Sequence, residues 1–263
     1  MLIFPSFQTC QGEIKLTEPV HFYTRNYPVN TANMDMCSSW KASCMLEAMQ
    51  ETAATNSDLL GCGREDLLKE HLAWVVLRME LYIDRYPVHS ETATVMTYPK
   101  PPRHGMFPRY FILSDENGQV FARASSIWAL LDLETRRSVP GASIGALIPE
   151  TPELPPCLPK LPPVVSVLDA QPILEERVPV FTDLDANAHV NNVRYLDWCC
   201  NALGIDEMRR SEISHFVINF NREIVPGQKI RTDLRRIGNT FTFSGYEGDE
   251  PHFHIFGELR QRS

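Results

Sequence analysis

The sequence predicts an α+β protein that repeats one unit twice, a curved antiparallel sheet wrapped around a long helix. Two observations carry this prediction. A helix pattern followed by four strand patterns occurs twice along the 263 residues, and a proline-rich tract separates the two series. The units are predicted at residues 1–140 and 178–263, and residues 141–177 are predicted to link them.

The first unit begins with a helix pattern over residues 36–55, where apolar side chains recur at three- and four-residue steps. Four runs with the composition of β-strands follow, at 71–83, 91–98, 107–115 and 119–133. Asn117 and Gly118 form a turn signal before the last run, so the runs predict an antiparallel meander.

The second unit repeats this order after a short predicted strand at 178–183. Its helix is expected near 190–203, and its strands are expected at 213–224, 229–236, 240–247 and 252–260. A sheet around one helix is the hot-dog arrangement, so the chain is predicted to form a double hot dog. Between the units, seven of the fifteen residues from 149 to 163 are proline, which excludes a helix or central strand and favours an extended spacer.

Composition narrows the functional classes. The net charge of −8 argues against nucleic acid or anionic lipid as a partner. No window approaches the roughly 18 uncharged apolar residues of a membrane span, and the first residues lack the basic and apolar stretches of a signal peptide. Seven cysteines without paired spacing favour reduced thiols, and His252 and His254 lack a third metal ligand. We therefore expect a cytoplasmic protein with no membrane span, no cofactor and no metal.

The densest polar cluster is TDLDANAHVNN, residues 182–192. In extended backbone, residues two apart share a face, so Asp185, Asn187 and His189 would point toward one place. Backbone N–H groups at the start of the next helix, near Val190, would face an oxyanion there. The alternative is an Asx-rich turn that caps the helix, and spacing alone does not choose between them.

Glu223 is a further candidate, near the end of the long strand in INFNREIVPG, with a surface pair to Arg222 as its alternative. At the corresponding junction the first unit carries polar residues but no histidine: Tyr27, Asn30, Asn33 and Asp35. The sequence therefore predicts one active site, in the C-terminal half.

Four stretches make the chain resemble acyl-acyl carrier protein thioesterases of the plant and bacterial type. They are LAWVVLRMELYIDRYP (72–87), RASSIWALLDLETRR (123–137), DLDANAHVNNVRYLDW (183–198) and FNREI (220–224). The resemblance implies hydrolysis of fatty acyl-acyl carrier protein, with the acyl tunnel in the first unit. It also implies that four residues of the second unit are catalytic: Asp185, Asn187, His189 and Glu223.

The resemblance also sets expectations about mechanism and source. Plant members often carry a cysteine after the glutamate, and Ile224 at this position excludes a thiol mechanism there. We expect Glu223 and His189 to activate water, Asp185 to orient the histidine or share the base role, and Asn187 to place the carbonyl or the water. Direct attack by a carboxylate through an anhydride stays open. The absence of a plastid transit peptide indicates a bacterial member.

Substrate contacts are expected in two places. Trp40, Met45, Met49 and the strand around Trp74 are candidates for the tunnel wall, although for any single one of them core packing is the better explanation. An acidic acyl carrier protein needs a local cationic surface, for which three pairs are candidates: Arg103 with Arg109, Arg136 with Arg137, and Arg209 with Arg210. The sequence also allows a homodimer.

Other classes compete with this interpretation. Residues 141–145, GASIG, match the G-x-S-x-G pattern of serine hydrolases, but Pro149 follows too soon for the helix that a nucleophile elbow needs. Coenzyme A thioesterases, dehydratases and catalytically silent acyl-binding modules also use hot-dog folds, and the fold alone does not separate them.

Overall fold

The computed structural model describes residues 21–262; Cys10, the start of the chain and residue 263 lie outside the described part. The first half contains the elements β1 Tyr23–Pro28, α1 Ala42–Leu59, α2 Arg64–Lys69, β2 Leu72–Ile83, β3 Thr92–Pro99, β4 Phe107–Ser114, β5 Val120–Asp132, β6 Ser138–Val139 and α3 Ala142–Gly145. The second half contains β7 Ile173–Arg177, α4 Arg194–Leu203, α5 Ile205–Arg210, β8 Ser211–Phe220, β9 Ile230–Ile237, β10 Thr240–Glu247 and β11 Glu250–Gln261.

The strands form one antiparallel sheet in the order β1-β3-β4-β5-β2-β8-β11-β10-β9-β7, with β6 added beside β5. The two meanders meet where β2 pairs with β8, for example at Leu81 opposite Phe216. Helices α1 and α4 share one hydrophobic core, to which Met45 and Leu196 contribute fully buried side chains. The predicted α+β class and the repeated unit of helix and sheet are confirmed.

The eight strands predicted for the two meanders overlap the observed ones, but one strand end and both helix starts are wrong. Strand β8 ends at residue 220 instead of 224, so Glu223 lies in the loop after the strand. Helix α1 begins at residue 42 instead of 36, because Met34 bridges Trp40 and holds the intervening residues in a loop. Helix α4 begins at residue 194 instead of 190, because Leu184 bridges Val190 in the same way.

The predicted strand at 178–183 is also wrong. Residues 181–183 form a 3-10 turn, and the strand is β7, which lies in the last part of the predicted linker. Its sequence, ILEER, has no clean alternation, and it forms a strand by pairing with β9 at the sheet edge.

Residues 149–163 contain no helix or strand, as predicted, but this proline-rich segment packs against the sheet in addition to linking the two halves. The Tyr98 hydroxyl donates to the Pro155 carbonyl at 2.8 Å. Asn219 accepts the Val165 N–H at 2.7 Å and donates to the Pro163 carbonyl at 3.1 Å. Because Asn219 alternates with core residues along β8, the segment crosses the sheet face opposite the helices. Within residues 21–262, no helix has the length and apolar character to cross a membrane.

Replacement of Asn219 by alanine tests the contribution of this segment. The change leaves the buried Val165 N–H without its acceptor and removes the bond to the Pro163 carbonyl, so the free energy of unfolding should fall by about 1–3 kcal/mol. Urea unfolding measures the loss, and limited proteolysis should cut residues 149–172 faster. Asn201→Ala, on the exposed side of α4, is the control. Equal stabilities of the two variants would contradict the packing role.

Candidate active site

Residues 185–189 form a tight loop closed by one carboxylate. Oδ1 of Asp185 accepts the N–H of Asn187 at 2.8 Å and the N–H of His189 at 3.2 Å. The Asp185 N–H donates to the His189 carbonyl at 2.8 Å, and Ala188 takes a left-handed backbone with φ 59°. The expected extended alternation is therefore wrong here, and the Asx-turn alternative describes the backbone.

The first half contains the same loop. Oδ1 of Asp35 accepts the N–H of Cys37 at 2.9 Å and the N–H of Ser39 at 3.0 Å, and Ser38 has φ 60°. Cys37 and Ser39 thus occupy the positions that correspond to Asn187 and His189. The duplicated aspartate shapes the loop in both halves, whereas only the second half presents an amide and an imidazole.

Glu223 lies beside the imidazole. His189 Nδ1 is 3.6 Å from Glu223 Oε2, and the two side chains are 31% and 43% exposed, so solvent reaches the pair. The other oxygen, Oε1, accepts from the Arg136 guanidinium at 2.5 Å, and the Glu223 carbonyl lies 3.0 Å from Nδ1 of His252. Arg222 pairs with Glu250 instead, so the alternative surface pair is not observed.

Two contacts of Glu223, with Arg136 and with His252, are not predicted by the sequence. The sequence suggests only a docking role for Arg136, and it offers His252 no third metal ligand. The TRR pattern of the resemblance offered a signal for Arg136, but nothing in one sequence shows that residue 136 reaches residue 223. No metal-binding cluster of three His, Cys, Asp or Glu groups exists among the described residues.

Tyr195, on helix α4, is a buried phenol close enough to the site for its charges to act on it. Tyr195 stacks on Phe253 with ring centroids 4.5 Å apart. Burial raises the pKa of Tyr195, and the negative charges of Asp185 and Glu223 raise it further. The phenol therefore stays protonated at neutral pH.

The expectation that helix N–H groups near Val190 face an oxyanion is wrong. The Val190 N–H donates to the Ile224 carbonyl at 2.8 Å, and the Asn191 N–H donates to the Asp183 carbonyl at 2.8 Å. The side-chain amide of Asn187 is a better donor, because Nδ2 has only a long contact of 3.5 Å to Asp185 Oδ2.

Asn187 also lies in the wall of a cavity of about 590 Å³. All other lining residues come from the first half, and they are mostly apolar, including Leu67, Trp74, Phe107 and Trp128. The cavity of one half therefore meets the polar loop of the other. Of the tunnel candidates, Trp74 lines this space, whereas Trp40, Met45 and Met49 are fully buried core residues.

Arg109 contributes a buried charge to the cavity wall. Its guanidinium donates to Asn56 Oδ1 at 2.7 Å and to Ser57 Oγ at 3.1 Å. Burial lowers the pKa of Arg109 to about 10, which still leaves it charged at neutral pH. The proposed docking pair of Arg103 with Arg109 is therefore wrong, because Arg109 does not reach the surface.

The serine of the G-x-S-x-G match has no catalytic surroundings. Ser143 is exposed on the four-residue helix α3, and within residues 21–262 it has no hydrogen-bond partner. A serine nucleophile requires a base within hydrogen-bond reach, so the structure does not support a hydrolase of that class.

The fold and this site define a class, the two-unit hot-dog proteins in which a polar loop of one half contributes to the wall of an apolar cavity in the other. Residues 20–141 match the family model of the acyl-ACP thioesterase N-terminal domain, and residues 169–247 match that of the C-terminal domain. The chain therefore belongs to the acyl-ACP thioesterase family.

Individual relatives are distant. The chain is 26% identical over 221 residues to a chloroplastic palmitoyl-acyl carrier protein thioesterase of Gossypium hirsutum, covering 80% of this chain and 54% of the relative. A chloroplastic oleoyl-acyl carrier protein thioesterase of Coriandrum sativum is 25% identical, over 79% of this chain and 61% of the relative. The chain thus spans about half the length of the curated relatives it matches.

Solved structures establish the double hot-dog fold. An acyl-ACP thioesterase from Bacteroides thetaiotaomicron superposes with a TM-score of 0.82 at 21% identity, covering 91% of this chain and 98% of the other. The 12:0-ACP thioesterase from Umbellularia californica superposes with a TM-score of 0.80 at 21% identity, covering 94% and 100%. The predicted fold and family resemblance are confirmed.

The duplicated loop allows a matched test of the aspartate. Asp185→Ala leaves two loop N–H groups without an acceptor, so the free energy of unfolding should fall by about 0.5–2 kcal/mol. Asp185→Asn keeps Oδ1 and should stay within a few tenths of the wild-type value. Asp35→Ala removes the same two loop bonds together with the Arg262 pair, so it should cost at least as much as Asp185→Ala, and chemical denaturation measures all three variants. If Asp185→Ala is as stable as Asp185→Asn, the carboxylate does not hold the loop.

Proposed function

We propose that the chain hydrolyses the thioester of fatty acyl-acyl carrier protein and releases a free fatty acid. The observation that carries the proposal is the His189–Glu223 pair at the polar loop whose Asn187 lines an apolar cavity. Membership of the acyl-ACP thioesterase family supports the same activity. In this proposal Asp185, Asn187, His189 and Glu223 form the site.

His189 acts as the general base. A carboxylate only accepts hydrogen bonds, so Glu223 Oε2 favours the tautomer with the proton on Nδ1 and the lone pair on Nε2. The separation of 3.6 Å is longer than a hydrogen bond, as is common before substrate closes such a site. Nε2 removes a proton from water, and the imidazolium that forms is stabilised by the Glu223 charge.

The water oxygen then adds to the thioester carbonyl carbon. The Asn187 amide donates to the oxyanion, which is the charge that develops in the transition state. The carbon–sulfur bond breaks, and the leaving thiolate takes its proton from the imidazolium. The products are a fatty acid and the carrier thiol.

Glu223 favours activated water over an anhydride. Oε1 is bonded to Arg136 and Oε2 is directed at the imidazole, an arrangement that suits a carboxylate that orients and stabilises the base. Asp185 is a positioning residue in this scheme, because its carboxylate contacts the loop backbone and the Asn187 amide instead of the imidazole. It holds Asn187 and His189 in their relative places.

The apolar cavity supplies the binding energy for the acyl chain. Burial of each methylene contributes about 0.8 kcal/mol, so the chain length that fills the space is preferred. Assays with acyl carrier protein and with coenzyme A carrying the same acyl chain decide the carrier, and equal turnover of both would reject the carrier assignment.

All six described cysteines are free, which supports the cytoplasmic, reducing location. The bacterial source and the homodimer stay predictions of the sequence.

Single replacements test the catalytic roles. His189→Ala should lower kcat on acyl carrier protein substrates by about 10²- to 10⁴-fold, because general-base catalysis is lost. Glu223→Gln should also lower kcat, since an amide does not stabilise an imidazolium. Fatty acid release is followed by mass spectrometry, and His89→Ala, an exposed histidine, is the control. Near-normal kcat in both site variants would sink the assignment.

Two unpaired arginines are proposed to dock the acidic carrier. Arg64 lines the cavity, Arg137 lies four residues after the cavity residue Leu133, and within residues 21–262 neither forms an ion pair. Arg209 and Arg210, in contrast, already face Asp206 and Glu207 on their own helix.

Charge reversal tests this surface. Arg64→Glu and Arg137→Glu should raise KM for the carrier protein substrate, because they repel an acidic partner, and should leave a small acyl thioester unaffected. Steady-state kinetics on both substrates give the comparison, and Arg210→Glu is the control. Equal changes on the small substrate and on the carrier would rule out a docking role.

A further inference from the structure

We infer that Arg136, a residue of the first half, is a positioning residue that holds Glu223 in its working orientation. The inference rests on the proposed function and deepens it, because it makes the site depend on both halves of the chain. It is carried by a direct contact, by the turn that presents the arginine, and by a duplicate of the same arrangement.

The contact assigns one carboxylate oxygen to each neighbour. Arg136 bonds Oε1 at 2.5 Å, which leaves Oε2 directed at His189 Nδ1. The arginine and glutamate side chains are 51% and 43% exposed, so the pair contributes little to stability. Its effect is geometric: without the arginine, the Glu223 side chain is free to rotate away from the imidazole.

The turn that carries Arg136 is held by hydrogen bonds of its own, which do not involve Glu223. Oδ1 of Asp132 accepts the N–H of Glu134 at 3.0 Å and both the N–H and the hydroxyl of Thr135, at 2.7 and 3.0 Å. These hydrogen bonds hold the pKa of Asp132 below its usual value. The Arg136 N–H donates to the Asp132 carbonyl at 2.9 Å, and Arg136 has φ 56°, the left-handed region that a non-glycine residue rarely adopts. Such a backbone persists where its surroundings fix it.

An equivalent arginine of the second half bonds the loop of the first half. Arg262 lies just beyond β11, as Arg136 lies just beyond β5. Arg262 bonds Asp35 Oδ2 at 2.7 Å and Ser39 Oγ at 3.0 Å, within the loop that duplicates residues 185–189. Its side chain is only 15% exposed, so this cross-half contact is a structural lock.

The two halves use the duplicated contact differently. In the first half the arginine bonds the loop aspartate and the serine, and no imidazole is present. In the second half His189 replaces the serine, and Arg136 bonds Glu223 instead of Asp185. An arginine that reaches across to a carboxylate of the other half is thus a feature of the fold. In the second half, the carboxylate that it bonds is Glu223.

Kinetics of Arg136 variants test the inference. The probe is dodecanoyl- or hexadecanoyl-acyl carrier protein, whichever the wild-type protein hydrolyses faster. Arg136→Ala should lower kcat about 10- to 100-fold with KM little changed, because a misplaced group affects the chemical step. Arg136→Lys keeps the charge without the planar guanidinium, so its kcat should lie between those of the wild type and of Arg136→Ala. Arg222→Ala, which breaks the adjacent pair with Glu250, is the matched control and should keep the wild-type kcat.

Two further measurements separate positioning from a loss of folding. Added guanidine at millimolar concentration should restore part of the kcat of Arg136→Ala, because the site is open to solvent, and should not change Arg222→Ala. In a Glu223→Gln background, Arg136→Ala should cause no further loss, since the arginine acts through that carboxylate.

The outcomes are distinct. A wild-type protein that hydrolyses neither substrate overturns the proposed function and this inference with it. An active wild type in which Arg136→Ala behaves like Arg222→Ala overturns the inference alone. Additive losses in the double variant Arg136→Ala/Glu223→Gln, or a drop in kcat that follows a lower unfolding midpoint and resists guanidine, do the same.

Discussion

The pairing of β2 with β8 is the constraint on which the rest of the structure depends. This antiparallel contact joins two meanders into one sheet, with Leu81 opposite Phe216. It thereby brings the turn after β5 against the segment after β8, where Arg136 meets Glu223. A slip of one residue would turn every side chain of a strand to the other face, so the register also fixes which residues enter the shared core.

Both halves contain the same aspartate-closed loop, although the other side chains of the two loops differ. A carboxylate that accepts two N–H groups closes each loop, at Asp35 and at Asp185. Because the acceptor fixes only main-chain geometry, the residues two and four positions later are unconstrained by it. In the first half they are Cys37 and Ser39, and Ser39 bonds the half-buried Arg262. In the second half they are Asn187, which lines the cavity, and His189, which solvent reaches.

The sequence predicted regular elements better than their ends. Alternation and β-branched composition predict β2 to within one residue, because half-buried strands carry that pattern themselves, whereas β8 ends four residues before its predicted end. The starts of α1 and α4 were placed several residues early, since the bridges at Trp40 and Val190 hold residues that would otherwise extend each helix. Strand β7 was missed because its polar residues become a strand only beside β9.

The sequence by itself determined the repeat, the fold class and the identity of the polar residues that the family resemblance marks, because these depend on local periodicity and on motif order. Only the tertiary structure decided what each polar group contacts. Asp185 turns to the loop backbone, Glu223 is shared between His189 and Arg136, and Arg109 points inward. These partners lie up to 87 positions apart along the chain, and hydrogen bonds over such separations depend on how the two meanders join in one sheet, which no local pattern encodes.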